Sequence, residues 1–236
     1  MSTKIKAHSE LSASGAERWA LCPGSVRLCR DIPPAPENKW AVEGTEAHSV
    51  METWLKTGKE PMNAPEEMRY HVSKMVGFVT SEMELGGDLF IEARVKLPEE
   101  IGPDMFGTVD AAIVEPFGRL HIIDLKYGVS PVSAERNLQL TYYAIGFAHK
   151  YDYQFDEVKL SIVQPRLASG FPVRTWTTKA SYLKQMAKFF TEAVKRTQYK
   201  NAPLNEGKHC YWCVGRETCP VKAEKKLTDA RGLFDV

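Results

Sequence analysis

The chain has 236 residues, 43% hydrophobic and 26% charged, with 5 Trp, 9 Tyr and 10 Phe. That is enough apolar surface for one domain with its own core, which excludes disorder over the whole length. No run approaches the roughly 18 apolar residues of a membrane span, and residues 1–8 lack the apolar centre of a signal peptide, so a cytoplasmic protein is expected. The net charge of +1 conceals an asymmetry: residues 179–226 hold 11 Lys and Arg against 4 Asp and Glu, which suits a polyanionic partner or, equally, a solvated helix face.

In chain order, Ser14-x-x-Glu17 has the form of a capping box and predicts a short helix running to about Cys22. Pro33-Pro34-Ala35-Pro36 reads as a stiff loop. Helices follow over 40–56, closed by Gly58, and over 65–85, with proline in the first turn and Gly86-Gly87 at the end. The period then changes to that of strands over 89–97, 106–115 and 120–125, the last two joined through Pro116-Phe117-Gly118. A helix over 134–150, strands over 158–163 and 173–177, and a helix over 181–199 complete the pattern. The expected class is α/β: a mixed central sheet flanked by helices, with a helix crossing over after the third strand. It is read as a single domain over 1–236, made of an N-terminal segment (1–39), a core (40–200) and a Cys-rich tail (201–236) folded back onto it.

The third strand ends in Asp124-Leu125-Lys126. Residues i and i+2 share a strand face, so the carboxylate and the ammonium point into one space. The short turn allows Asp110, in Gly107-x-x-Asp110, to lie beside Asp124. Two carboxylates with an adjacent lysine suit metal-dependent phosphodiester cleavage: the acids hold a hard divalent cation, which acidifies a water, and the lysine positions that water or offsets developing charge. In the next helix Gln139 and Tyr143 are i and i+4 and reach the same site. In the first long helix Gly44-x-x-x-His48 offers an imidazole ligand, with Gly44 read as a point where another backbone approaches closely.

The ordered series Gly44-x-x-x-His48, Gly107-x-x-Asp110, Asp124-x-Lys126 and Gln139-x-x-x-Tyr143 resembles the RecB-type branch of the PD-(D/E)xK nucleases. Within it the chain is similar to the iron–sulfur CRISPR-associated RecB-like exonucleases. It is closer still to a phage and prophage family that shares an opening like Leu11-Ser12-Ala13-Ser14-Gly15-Ala16-Glu17-Arg18-Trp19 and Asp124-Leu125-Lys126-Tyr127-Gly128. The resemblance spans about residues 9–220. It implies a DNA exonuclease in recombination, repair or replication, working in the cytoplasm of a bacterial host on single strands or duplex ends, with a phage single-strand annealing or binding protein as a partner; some relatives form rings, which leaves an oligomer open. It further implies that His48, Asp110, Asp124 and the Leu125 carbonyl bind Mn²⁺ or Mg²⁺, that Lys126 is the catalytic lysine, and that Gln139 and Tyr143 contact the DNA. Asp124 stands where many relatives have Glu.

Of five cysteines, Cys210, Cys213 and Cys219 form C-x2-C-x5-C, while Cys22 and Cys29 lie near the start. Three thiols so spaced offer three corners of a metal centre; the fourth is His209, giving a zinc knuckle, or a distant cysteine. The resemblance implies a structural [4Fe–4S] cluster on Cys22, Cys210, Cys213 and Cys219, leaving Cys29 as a small buried hydrophobe. The competing reading is a non-catalytic or structure-specific DNA-binding protein with a zinc knuckle.

Overall fold

The computed structural model describes residues 9–33, 38–168, 170 and 172–225. The readings made on residues 1–8, on 34–36 of the proline loop and on the tail beyond 225 lie outside them. Five strands, β1 (Asp88–Lys96), β2 (Phe106–Glu115), β3 (Arg119–Leu125), β4 (Glu157–Val163) and β5 (Val173–Lys179), form one sheet in the order β1-β2-β3-β4-β5. Neighbours are antiparallel except β3 and β4, which run parallel. A parallel pair needs a crossover, and α5 (Leu138–Lys150) supplies it.

Alternation along the strands loads both faces. Ala112, Leu120, Ile122, Leu160 and Ile162 pack on the side of α5, α1 (Ala16–Leu21) and α6 (Ser181–Thr197). Ala111, Ile113, Ile123, Leu125 and Val163 pack under α3 (Lys39–Thr57) and α4 (Glu66–Met83). A sheet buried on both faces explains why β3 is so apolar up to its last residues. Phe117 and Gly118, at φ 70° and 74°, make the tight β2–β3 turn, a conformation that favours glycine at the second position. Among the described residues no helix is long and apolar enough to cross a membrane.

Four local expectations are corrected. The capping box does not form: α1 starts after Gly15, whose N–H donates to the Ser12 hydroxyl, so Ser14 lies outside the capping position. A short helix, α2 (Gly24–Cys29), follows Pro23 where none was expected. Helix α5 begins at Leu138 and not at Ala134, because the Asn137 carboxamide oxygen caps it by accepting from the Leu140 N–H. The close approach expected at Gly44 is absent: a Cβ there would meet nothing within 4 Å.

The chain ends are stitched together. Gly24 donates to the Pro203 carbonyl at 2.9 Å, and a Cβ at Gly24 would sit 2.5 Å from the Ala202 carbonyl oxygen, so only glycine fits. The Asn205 carboxamide donates to the Leu21 carbonyl and its N–H to Cys22 Sγ. A short 3-10 turn over Lys208–Trp212 then carries the C-terminal cysteines.

Candidate active site

The register that sets Ala111 opposite Ile123 brings Asp110, in the middle of β2, level with Asp124, near the end of β3. Both carboxylates are buried. Asp110 Oδ2 accepts from the Leu125 backbone N–H at 2.7 Å, and Asp110 Oδ1 lies 3.2 Å from His48 Nδ1. His48, on α3, therefore brings its imidazole to Asp110. Leu125 enters this network through its N–H.

Lys126 Nζ sits 2.9 Å from Asp124 Oδ2 and donates to Gln139 Oε1 at 2.8 Å. Gln139 Nε2 in turn faces Asp124 Oδ1 at 3.0 Å and the Tyr143 hydroxyl at 3.2 Å. The i, i+4 pair on α5 and the i, i+2 pair on β3 thus close one network of Asp124, Lys126, Gln139 and Tyr143. Gly107 makes room for it: a Cβ there would come within 2.9 Å of the Tyr143 ring.

Glu92 was not anticipated. Its carboxylate, with His48 and Asp110, forms a group whose ligand atoms all lie within 4.8 Å of one another. Strand β1 pairs Ile91 with Ala111 and Ala93 with Val109, and between them Glu92 takes φ 47°, a left-handed conformation that a non-glycine residue adopts at some cost.

The electrostatics follow from burial and crowding. Burial, and next the nearby Asp110 charge, push the Glu92 carboxyl up to about 7. Burial raises Asp124 against the opposing pull of Lys126. Burial alone would lower His48 and Lys126, but pairing with Asp110 and with Asp124 respectively overrides it, and both are raised. Three acids crowd this end of the sheet, with Lys126 and His48 beside them and Lys56 acting on Glu92. Asp124 lies outside the group of His48, Glu92 and Asp110, its Oδ2 buried against the Lys126 ammonium at 2.9 Å and its Oδ1 against Gln139. An oxygen-rich set with one imidazole and crowded acids fits a hard divalent cation.

A second group, Glu82, Glu115 and His121, is equally tight. Its carboxylates are already matched: Lys159 lies 2.5 Å from Glu82, and Arg119 binds Glu115. This cluster belongs to the packing of α4 on the sheet.

Cys22, Cys210, Cys213 and Cys219 line one cavity together with His209. No three of these thiols and the imidazole form a group within 4.8 Å, the range in which the two groups above fall, so the set stands wider than the ligands of a single ion. His209 donates from Nε2 to the Asn205 carbonyl, and its buried Nδ1 has no partner. Cys29 is corrected: it is half-buried, and its sulfur lies 3.7 Å from Cys213 Sγ, facing the cysteine segment instead of an apolar core.

Residues 8–235 match the family described as "Protein of unknown function (DUF2800)". Among solved structures, a candidate exonuclease from Eubacterium rectale superposes with a TM-score of 0.51 at 10% identity, covering 84% of this chain and 85% of that one. At such identity the likeness is one of fold. The structure of SSO0001 overlaps with a TM-score of 0.41 at 13% identity, over 89% of this chain and 85% of that one.

Proposed function

The chain belongs to the DUF2800 family, and from that premise we propose that it is a metal-dependent deoxyribonuclease of the RecB-like PD-(D/E)xK type, acting as an exonuclease in phage or prophage DNA recombination, repair or replication. One observation carries the reading: Asp110 and Asp124 lie level on adjacent strands, with His48 on the first and Lys126 on the second. The exonuclease description of the Eubacterium rectale protein of like fold supports it.

Mn²⁺ or Mg²⁺, when bound, supplies a Lewis acid that polarises a phosphate oxygen and acidifies a water. Asp110, His48 and Glu92, whose ligand atoms lie within 4.8 Å of one another, would hold it, with Asp124 and the Leu125 carbonyl as further ligands. Lys126 orients the attacking water and offsets charge that develops on the phosphate. Gln139, by accepting from Lys126 and donating to Asp124, fixes the geometry of both, and with Tyr143 it faces the DNA phosphate. Asp124→Ala and Lys126→Ala are each expected to lower cleavage of end-labelled DNA by on the order of 10³-fold while DNA binding persists. A folded Asp124→Ala protein cutting at the wild-type rate would overturn the assignment.

The cysteine cavity is read as the seat of a structural [4Fe–4S] cluster, on the ground that Cys22, from near the start of the chain, lines one cavity with Cys210, Cys213 and Cys219. The zinc-knuckle alternative has the unpartnered His209 Nδ1 in its favour. Anaerobic iron and zinc analysis separates them. Iron is expected in the wild type and in Cys29→Ser and is lost in Cys22→Ser; stoichiometric zinc without iron would replace the cluster with the knuckle.

A further inference from the structure

We propose that the first half of α3, with the start of α4 and the segment after β4, forms a stacking platform that guides single-stranded DNA to the cation site; the proposal rests on the nuclease reading above. Trp40 and Tyr70 are 58% and 61% exposed and stand on the two helices that cover the His48 side of the sheet. A cation lies near each face: Lys39 Nζ is 4.5 Å from the Trp40 ring centre and Lys74 Nζ 4.6 Å from that of Tyr70. Arg166 bridges inward, its guanidinium 5.7 Å from Trp40 and 4.9 Å from Tyr127, the residue directly after Lys126.

The platform connects to the site. Trp40, Gly44 and His48 are i, i+4 and i+8, on one face of α3. The span from Trp40 to His48 is about 12 Å at 1.5 Å per residue. Between them Gly44 leaves bare helix, since a Cβ there would touch nothing within 4 Å. The glycine thus opens a track from the exposed rings to the imidazole. Arg166, from the segment after β4, approaches the same end of the sheet, because β4 runs parallel to β3.

Charge selects the occupant. Glu43 pairs with Arg166 at 2.8 Å, and Glu46 and Glu67 lie near Tyr127, so acids stand among the cations of this surface. A surface of mixed charge has little pull on a duplex backbone. What it offers is ring faces, and these need accessible bases, which only a single strand presents. The platform therefore binds single-stranded DNA by stacking, with a shallow dependence on salt.

The test is binding of fluorescein-labelled oligothymidylate in EDTA, against a blunt duplex of equal length. Trp40→Ala and Tyr70→Ala are each expected to weaken oligothymidylate binding about tenfold and to spare the duplex. Gly44→Leu, which has room to fold and replaces a poor helix former, is expected to block the track and weaken oligothymidylate binding alike. Unchanged binding in all three folded variants overturns the platform, and equal loss on the blunt duplex overturns its single-strand occupant. If oligothymidylate binding follows Trp40 and Tyr70 while no DNA is cleaved in Mn²⁺, the platform stands and the nuclease reading falls. If cleavage follows Asp124 while binding ignores both rings, the platform falls alone.

Discussion

Along β2 and β3 sit two clusters of the same chemistry, one at mid-β2 and one toward the β2–β3 turn, each a histidine with two carboxylates: His48 with Glu92 and Asp110, and His121 with Glu82 and Glu115. Asp110 and Glu115 are five residues apart on one strand, about 17 Å at 3.4 Å per residue. At the His121 end each carboxylate has its own cation, Lys159 or Arg119, and burial, aided by those two charges, drives His121 well below the usual histidine range. His121 is fully enclosed, with Ser161 2.8 Å from Nε2. At the His48 end Asp124 has Lys126 and Asp110 has His48, Glu92 is raised to about 7 by burial and by Asp110, and His48 is one-third exposed along its side chain. The two ends share their ligand types and differ in how their carboxylates are paired and in how far the histidine is open.

The largest effect that would break this comparison concerns the residue found only in the structure. Glu92→Gln keeps the size and removes a charge, and it is expected to cut DNA cleavage about 10²-fold, with the loss partly reversed by raising Mn²⁺. An unchanged rate at limiting Mn²⁺ would remove Glu92 from the cation set.

At the other end the expected loss is of stability and not of activity. Glu115→Gln removes the closer of Arg119's two carboxylate partners, leaving Glu157 at 3.6 Å, and should lower unfolding free energy by about 1–3 kcal/mol, read by denaturant titration, with cleavage per folded molecule unaltered. The smallest effect is in pH. Because His121 is held below its unfolded value, the unfolded chain takes up a proton the folded one refuses, so its contribution is flat above about pH 6.5 and becomes destabilising as pH falls through that value. His121→Gln should blunt that loss between about pH 6.5 and 5; an unaltered pH slope would mean His121 is not what the acid limb reports.

Much of the working end was legible in the sequence because it rests on strict periodicities. Asp124 and Lys126 share a face by the period of two, and Gln139 and Tyr143 by the helical i, i+4 step. The short β2–β3 turn left little freedom in the register that levels Asp110 with Asp124. Glu92 escaped because it sits in an alternating strand as an ordinary outward acid, and only the φ of 47° at that position, which no pattern signals, belongs to its place beside His48 and Asp110. Helix α2 escaped behind Pro23-Gly24, which reads as a break until the approach of residues 202 and 203 is seen. Gly44 was noticed for the wrong reason: glycine signals either close approach or open space, and the sequence does not distinguish them. Cys29 has the same ambiguity, since its partner Cys213 lies at the other end of the chain.

The central claim is that the His48 end, and not the His121 end, holds a divalent cation. Calorimetric titration of Mn²⁺ into the wild type, Asp110→Asn and Glu115→Gln tests it directly. The account predicts binding in the wild type and in Glu115→Gln, and its loss in Asp110→Asn. Binding that survives Asp110→Asn and disappears in Glu115→Gln would contradict it.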